Sequence, residues 1–362
     1  MVADMSVVSS STDSNVIPVE SADLFALDAG ADIHLDEWIA PELADENGLL
    51  RVGHILEWMD VGGVLAATRY CRSTCVTASV SGVELSRPIE VGEHVSMSAR
   101  VAFTSRRSVG VHVSLRARGR KLLADSEVLN AYMTFVPNGA AEVKPWTPMT
   151  PRDRALHREG ELRREFRQKL AAGAFSETDN QENVRRERVT LRSLARDVRR
   201  IVPLLPDPPN AGSRSPELSY VHRIEWVLDS TLNTHGTLYG GKFMRWIENA
   251  ACLSARAFTD APMVVQGVHG LDFLKPVNRH LFLHTHAMAV RSDASSVTIR
   301  VEVASEDPTT GQVEQSLHGF FTYRPLDRRV VVPELDVHSD AERALCAEAT
   351  HHVAFARRLR EQ

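Results

Sequence analysis

The chain has 362 residues, of which 43% are hydrophobic and 25% are charged, a composition typical of a globular protein with two or three domains. The formal net charge of −5 is too small to favour nucleic acid as the main partner. Four cysteines are too few for a disulfide scaffold, and their spacing predicts reduced thiols and no metal site. The first thirty residues contain no Lys or Arg, and no apolar stretch reaches the ~20 residues that span a bilayer. These features predict a cytoplasmic protein.

The N-terminal part of the chain is predicted to contain a tail and a first domain. Residues 1–30 are rich in Ser at their start and are predicted to be disordered. Residues 31–140 form the first domain, in which a short strand over 35–39 leads through a polar turn to a long apolar helix. Four strands of alternating polarity follow. One helix followed by an antiparallel run of strands indicates an α+β unit with the sheet wrapped around the helix.

Two segments outside the domains are predicted to be helical. Residues 141–217 form a charged linker with two Arg-rich helical stretches, 152–170 and 182–202, followed by a Pro-rich stretch. Arginines of this kind can bind phosphate or RNA, but acids are interleaved with them here. A solvated linker helix packed across the domains is therefore the preferred interpretation. Residues 329–362 contain a closing amphipathic helix, with His352 expected at the surface.

The second domain, residues 218–328, repeats the first. Shifted by 188 residues, positions 34–137 fall on 222–325 without a gap, and twenty of the 104 pairs are identical. The identical pairs include two of tryptophan, Trp38 with Trp226 and Trp58 with Trp246. The chain therefore contains the same folding unit twice.

Two positions of the repeat hold candidate catalytic residues. The first, in the turn before the helix, is Asp45 in one copy and Asn233 in the other, although Asn and Asp are also common in turns. The second, within the apolar helix, is an acid in both copies, Asp60 and Glu248. Burial raises the pKa of a carboxylate toward the range that a general base needs. The presence of an acid at this position in both copies favours a catalytic role over a purely structural hydrogen bond to the backbone.

Glycines open the two helices. Gly53 begins the first, and Gly240 and Gly241 begin the second. Their N–H groups have no partner within the helix and lie at the positive end of its dipole, which suits a developing oxyanion. The structural alternative is close packing of the helix against a strand.

These motifs resemble those of the double hot-dog acyl-CoA thioesterases, above all the cytosolic and brown-fat-type enzymes. N-T-H-G-T-L-Y-G-G-K-F-M-R-W-I-E (233–248) resembles the second domain of that group. G-H-I-L-E-W-M-D (53–60) and C-V-T-A-S-V-S-G-V-E-L (75–85) are similar to its first domain. The resemblance covers about residues 34–325, and the lipid-transfer domain that some relatives carry is not found. It implies tandem hot-dog domains that hydrolyse fatty acyl-CoA to fatty acid and coenzyme A without a cofactor.

The resemblance also implies two pockets at the interface between the domains. In the main pocket, Asp60 would activate water or attack the thioester, Asn233 would orient the water or the carbonyl, and the Gly241 N–H would hold the oxyanion. The second pocket would combine Asp45, Gly53 and Glu248. The implied partners are acyl-CoA as substrate and further copies of the chain, as a trimer of double hot dogs, without nucleic acid or stable membrane insertion.

Two other functions stay open from the sequence. A non-catalytic acyl-CoA-binding or regulatory hot-dog protein would tolerate one degraded pocket, but an acid in both copies argues against two inactive ones. A hot-dog dehydratase or hydratase resembles a different pattern, and Trp58 and Trp246 disfavour it. There is no G-x-S-x-G motif of the kind that serine hydrolases use.

Overall fold

A computed structural model describes residues 32–119, 126–139, 142–172 and 212–360. The predicted tail over 1–30 and the second linker helix over 182–202 lie outside these ranges. The long helices are α1 (Val52–Cys71), α2 (Pro151–Ala171), α3 (Gly240–Thr259) and α4 (Asp340–Arg360). The first seven strands are β1 (Ile33–Trp38), β2 (Cys75–Leu85), β3 (His94–Ser105), β4 (Ser108–Arg118), β5 (Ser126–Pro137), β6 (Ser213–Arg214) and β7 (Val221–Trp226). The others are β8 (Met263–Phe273), β9 (Phe282–Asp293), β10 (Ser296–Glu306), β11 (Val313–Pro325) and β12 (Glu334–Leu335).

Ten strands form one antiparallel sheet in the order β1-β3-β4-β5-β2-β8-β11-β10-β9-β7. Each copy of the repeat contributes five of these strands in the same order, from its first strand at the outer edge to its second strand at the centre of the sheet. The halves join where β2 pairs with β8, with Ser79 opposite Asp272 and Glu84 opposite Gly267. The α+β prediction is confirmed, and the repeat explains why both halves have the same topology.

Helices α1 and α3 lie on the inner face of the sheet and pack against each other. In α1, Ile55, Leu56 and Met59 are fully buried, as its nearly all-apolar sequence requires. Glycine is needed where this helix approaches the sheet, since a Cβ at Gly63 would lie 2.5 Å from the Phe135 ring. This close fit fixes the distance between the sheet and α1, the helix that contains Asp60.

Helices α2 and α4 cover the outer face and meet over the junction of the two halves. The rings of Phe166 and Phe355 stack with centroids 4.0 Å apart, so the linker helix contacts the C-terminal helix. Arg167 reaches from α2 to Ser79 and donates to Thr134 Oγ1 at 3.0 Å. The expectation that His352 is a surface residue was wrong. Its ring is buried against Phe320 and Phe166, because the helix turns that face toward the sheet.

None of the helices that the structure describes is long and apolar enough to span a membrane.

Candidate active site

The turn residues of both repeats have the same local structure. Asn233 Oδ1 accepts hydrogen bonds from the N–H groups of His235 at 2.8 Å and Thr237 at 3.2 Å. Gly236 completes this turn with φ of +75°, a conformation that favours glycine. Asp45 accepts the corresponding bonds from the N–H groups of Asn47 at 2.8 Å and Leu49 at 3.0 Å. Asn and Asp thus stabilise the turn through the same pair of backbone hydrogen bonds. Only Asn233 also has an amide donor, which Asp45 lacks.

The Asp60 carboxylate lies between the two domains. It projects from the middle of α1 and is only 2% exposed. The Gly241 N–H, at the start of α3 in the other domain, donates to Asp60 Oδ2 at 2.8 Å. The hydroxyl of Thr77, on β2, donates to Asp60 Oδ1. Both oxygens therefore have donors, as a buried carboxylate requires.

Burial raises the pKa of Asp60 from its ordinary value of 3.8 to about 6. The hydrogen bonds from Thr77 and Gly241 oppose this shift because they stabilise the charged form, and the nearby charge of Glu57 adds to it. The carboxylate is therefore ionised at neutral pH and still far more basic than an exposed Asp.

The repeat places Glu248 in an equivalent position on α3. Its side chain is buried, and the N–H of Gly53, at the start of α1, donates to the carboxylate. The hydroxyl of Tyr323 donates to Glu248 Oε1 at 3.3 Å. Burial raises the pKa of Glu248 from 4.5 to about 7, opposed by the bonds from Tyr323 and Gly53 and assisted by the charge of Asp45.

The two acids are thus each bonded to the helix N-terminus of the other domain, which brings Gly241 to Asp60 and Gly53 to Glu248. The Asn233 side chain bonds within its own turn, where its Nδ2 donates to Thr237 Oγ1 at 2.9 Å. That turn lies against the first domain, since Asn138 Nδ2 and His235 Nδ1 are 3.2 Å apart.

Sequence reasoning missed two side chains at Asp60. One is Thr77, whose repeat counterpart is Val265, so the hydroxyl belongs to one site only. The other is Tyr239, whose hydroxyl donates to the Glu57 carbonyl oxygen at 3.2 Å and ties α3 to α1. A comparison of the two copies at these positions would have revealed both differences, but without coordinates nothing marks them as neighbours of the acid.

The chain matches the family model of the thioesterase superfamily twice, over residues 47–124 and 235–312. An uncharacterized acyl-CoA thioester hydrolase of Bacillus subtilis is 30% identical over 127 residues, which are 34% of this chain and 74% of that protein. The cytosolic acyl coenzyme A thioester hydrolase of Homo sapiens is 24% identical over 315 residues, or 84% of this chain and 77% of that protein.

The acetyl-coenzyme A thioesterase of Rattus norvegicus is 26% identical over 315 residues, which are 83% of this chain and 52% of that protein. The chain thus spans about half the length of this relative. Each segment matched by the family model contains the central helix of its domain and three of the five strands around it, part of the hot-dog arrangement that the sequence predicts. The chain therefore belongs to the thioesterase superfamily and contains its hot-dog domain twice.

Proposed function

We propose that the chain hydrolyses acyl-coenzyme A thioesters to free fatty acid and coenzyme A. Its relatives carry the names of acyl-CoA thioesterases and thioester hydrolases. The observation that carries the proposal is the buried Asp60 carboxylate at the N-terminus of a helix from the other domain. A pKa of about 6 makes this carboxylate a suitable general base at neutral pH.

In the proposed reaction, Asp60 takes a proton from water as the water oxygen bonds to the thioester carbonyl carbon. The carbonyl electron pair moves to its oxygen and then returns, breaking the carbon–sulfur bond and expelling coenzyme A as a thiolate. A thiol with a pKa of ~8.5 leaves without a strong general acid. The proton on Asp60 then passes to the thiolate or to solvent. Two hydrogen bonds hold the Asp60 oxygens, which favours this base role over direct attack by the carboxylate.

The Gly241 N–H would change its partner during the reaction. It donates to Asp60 Oδ2 in the structure. Once Asp60 is protonated, its oxygens are weaker acceptors, and the developing oxyanion becomes the stronger one. The same donor, at the positive end of α3, would then stabilise the oxyanion. The amide of Asn233 would orient the water or the carbonyl, as the resemblance implies.

The site at Glu248 would be the weaker catalyst. Asp45 takes the place of Asn233, so two carboxylates approach each other and the amide donor is lost. Val265 takes the place of Thr77, and the hydroxyl that donates to Glu248 is instead that of Tyr323, at 3.3 Å. Burial, assisted by the charge of Asp45, raises the pKa of Glu248 to about 7, so a smaller fraction of Glu248 than of Asp60 is ionised at neutral pH.

We also propose that the chain works in the cytoplasm as a homo-oligomer, a trimer of double hot dogs. Strands β1 and β7 are the free edges of the sheet. Each edge exposes a large ring, Trp38 at 65% and Trp226 at 54%. Such edges are commonly covered in native assemblies.

Release of free thiol from a panel of acyl-CoA esters tests the proposed activity. The purified full-length chain is expected to release thiol catalytically from at least one chain length, with the fatty acid formed in equal amount. Tight binding of acyl-CoA without thiol release would overturn the proposal and favour the non-catalytic alternative.

A further inference from the structure

The side chain of Tyr239 lies beside the backbone donor assigned to the oxyanion. Tyr239 immediately precedes the two glycines that open α3, and it is partly buried. A Cβ at Gly241 would lie 2.9 Å from the Tyr239 hydroxyl oxygen and equally close to the ring carbon that bears it. The glycine therefore leaves the space that the phenol occupies, and the hydroxyl end of the ring is the part that contacts the start of α3.

The hydroxyl is within reach of an oxyanion bound to the Gly241 N–H. One oxygen that accepts from two donors at ~2.9 Å each requires these donors to lie less than ~5.8 Å apart. The Gly241 nitrogen is two bonds, or ~2.5 Å, from the position of a Cβ, and that position is 2.9 Å from the hydroxyl oxygen. The phenol and the backbone N–H therefore meet this condition.

The structure holds the hydroxyl in a long hydrogen bond to a neutral acceptor. Its partner is the Glu57 carbonyl oxygen at 3.2 Å, beyond the usual O–H···O distance. Burial raises the pKa of Tyr239, and the charges of Asp60 and Glu57 add to this shift. The phenol therefore keeps its proton and remains a donor.

A developing oxyanion is a better acceptor than the Glu57 carbonyl. Hydrogen bonds to an ionised oxygen are shorter and roughly twice as strong as bonds between neutral groups. By changing its partner, the hydroxyl would stabilise the transition state more than the bound thioester, which is the condition for a gain in rate.

The repeat shows that this phenol belongs to one site only. Shifted by 188 residues, Tyr239 corresponds to Arg51. A Cβ at Gly53, the glycine equivalent to that of α3, would have Arg245 and Glu248 as its nearest neighbours, at 3.1 and 3.3 Å. The hydroxyl beside the helix N-terminus therefore accompanies the site to which the base is assigned.

We propose that Tyr239 is a catalytic residue whose hydroxyl, together with the Gly241 N–H, donates to the oxyanion formed at Asp60. This role rests on the proposed thioester hydrolysis and adds a side-chain donor to the backbone donor. As the water oxygen bonds to the carbonyl carbon, the carbonyl electron pair moves to its oxygen, and the hydroxyl turns from Glu57 to that oxygen without transferring its proton. The hydroxyl returns to Glu57 when the carbon–sulfur bond breaks and the carbonyl is restored.

Tyr239→Phe tests this role, because it keeps the ring and removes only the hydroxyl. The variant is expected to lower kcat for acyl-CoA at least tenfold with KM within twofold of the wild type, since the lost bond forms only as charge develops. The matched control is Tyr70→Phe, which removes a hydroxyl that donates to the Lys144 carbonyl oxygen at 3.0 Å. The control is expected to keep the wild-type kcat. Thermal unfolding curves of both variants establish that they are folded.

Two inhibitors separate a bond to the oxyanion from a contribution to binding or folding. A trifluoromethyl ketone analogue of acyl-CoA hydrates to a tetrahedral centre, whereas an S-alkyl-coenzyme A thioether has no carbonyl. Tyr239→Phe is expected to weaken inhibition by the ketone at least tenfold and to leave inhibition by the thioether unchanged.

A wild-type kcat in Tyr239→Phe would overturn this role of the phenol. Equal weakening of both inhibitors, or a rise in KM alone, would also overturn it, since the phenol would then serve substrate binding. In each of these cases the proposed hydrolysis stands, provided that the wild type releases thiol. Absence of thiol release from the wild type would remove the proposed function and the role of Tyr239 with it.

Discussion

Asp60→Asn is expected to lower kcat for acyl-CoA hydrolysis by a factor on the order of 10² or more, the scale for loss of a general base. The amide keeps an oxygen that can accept the Gly241 N–H, so the contact between the domains persists. It cannot take a proton from water. Thiol release at saturating acyl-CoA measures the loss, and a thermal unfolding curve establishes that the variant is folded.

The repeat provides the matched control, Glu248→Gln. This variant removes the equivalent buried acid and is expected to change kcat much less. Equal losses in the two variants would mean that both sites turn over or that they are coupled. A loss confined to Glu248→Gln would show that the active site was assigned to the wrong half of the repeat.

Asn233→Asp is expected to lower kcat at neutral pH by about 10², because it would remove the amide from the proposed Asp60 pocket and add a second carboxylate there. The turn should be preserved. Asp45 makes the same backbone hydrogen bonds in the first repeat, to the N–H groups of Asn47 and Leu49. The loss therefore reports the amide donor and the added charge, and not a change of fold.

The reverse exchange, Asp45→Asn, is the control for Asn233→Asp. It removes a charge next to Glu248 and is expected to leave kcat close to that of the wild type. If Asn233→Asp keeps full activity while Asp45→Asn alters it, the amide of Asn233 has no part in the reaction.

The fold was largely predictable because the chain contains the same folding unit twice. A constant shift of 188 residues aligns the helix and all the strands of both domains, so each copy checks the other. The joining of β2 to β8 into one sheet was not predictable, since it depends on two edges almost two hundred residues apart. The burial of His352 was not predicted for a similar reason, because the face of a helix that becomes buried depends on which element packs against it.

The site was predictable only in part. An acid inside an apolar helix is conspicuous in a sequence, and this pattern singled out Asp60 and Glu248, both of which are buried in the structure. Thr77 is an ordinary residue of a β-strand, and only the folded chain brings its hydroxyl to Asp60.

The pH dependence of kcat/KM for thiol release tests the central claim most directly, that ionised Asp60 is the base. Only the ionised form removes a proton, and burial raises its pKa from 3.8 to about 6, so kcat/KM should fall as the pH drops through about 6. Glu248→Gln should keep this acid limb, since it leaves Asp60 untouched. A rate that stays constant down to pH ~4, where an exposed Asp first becomes protonated, would contradict the account. So would a limb that disappears in Glu248→Gln.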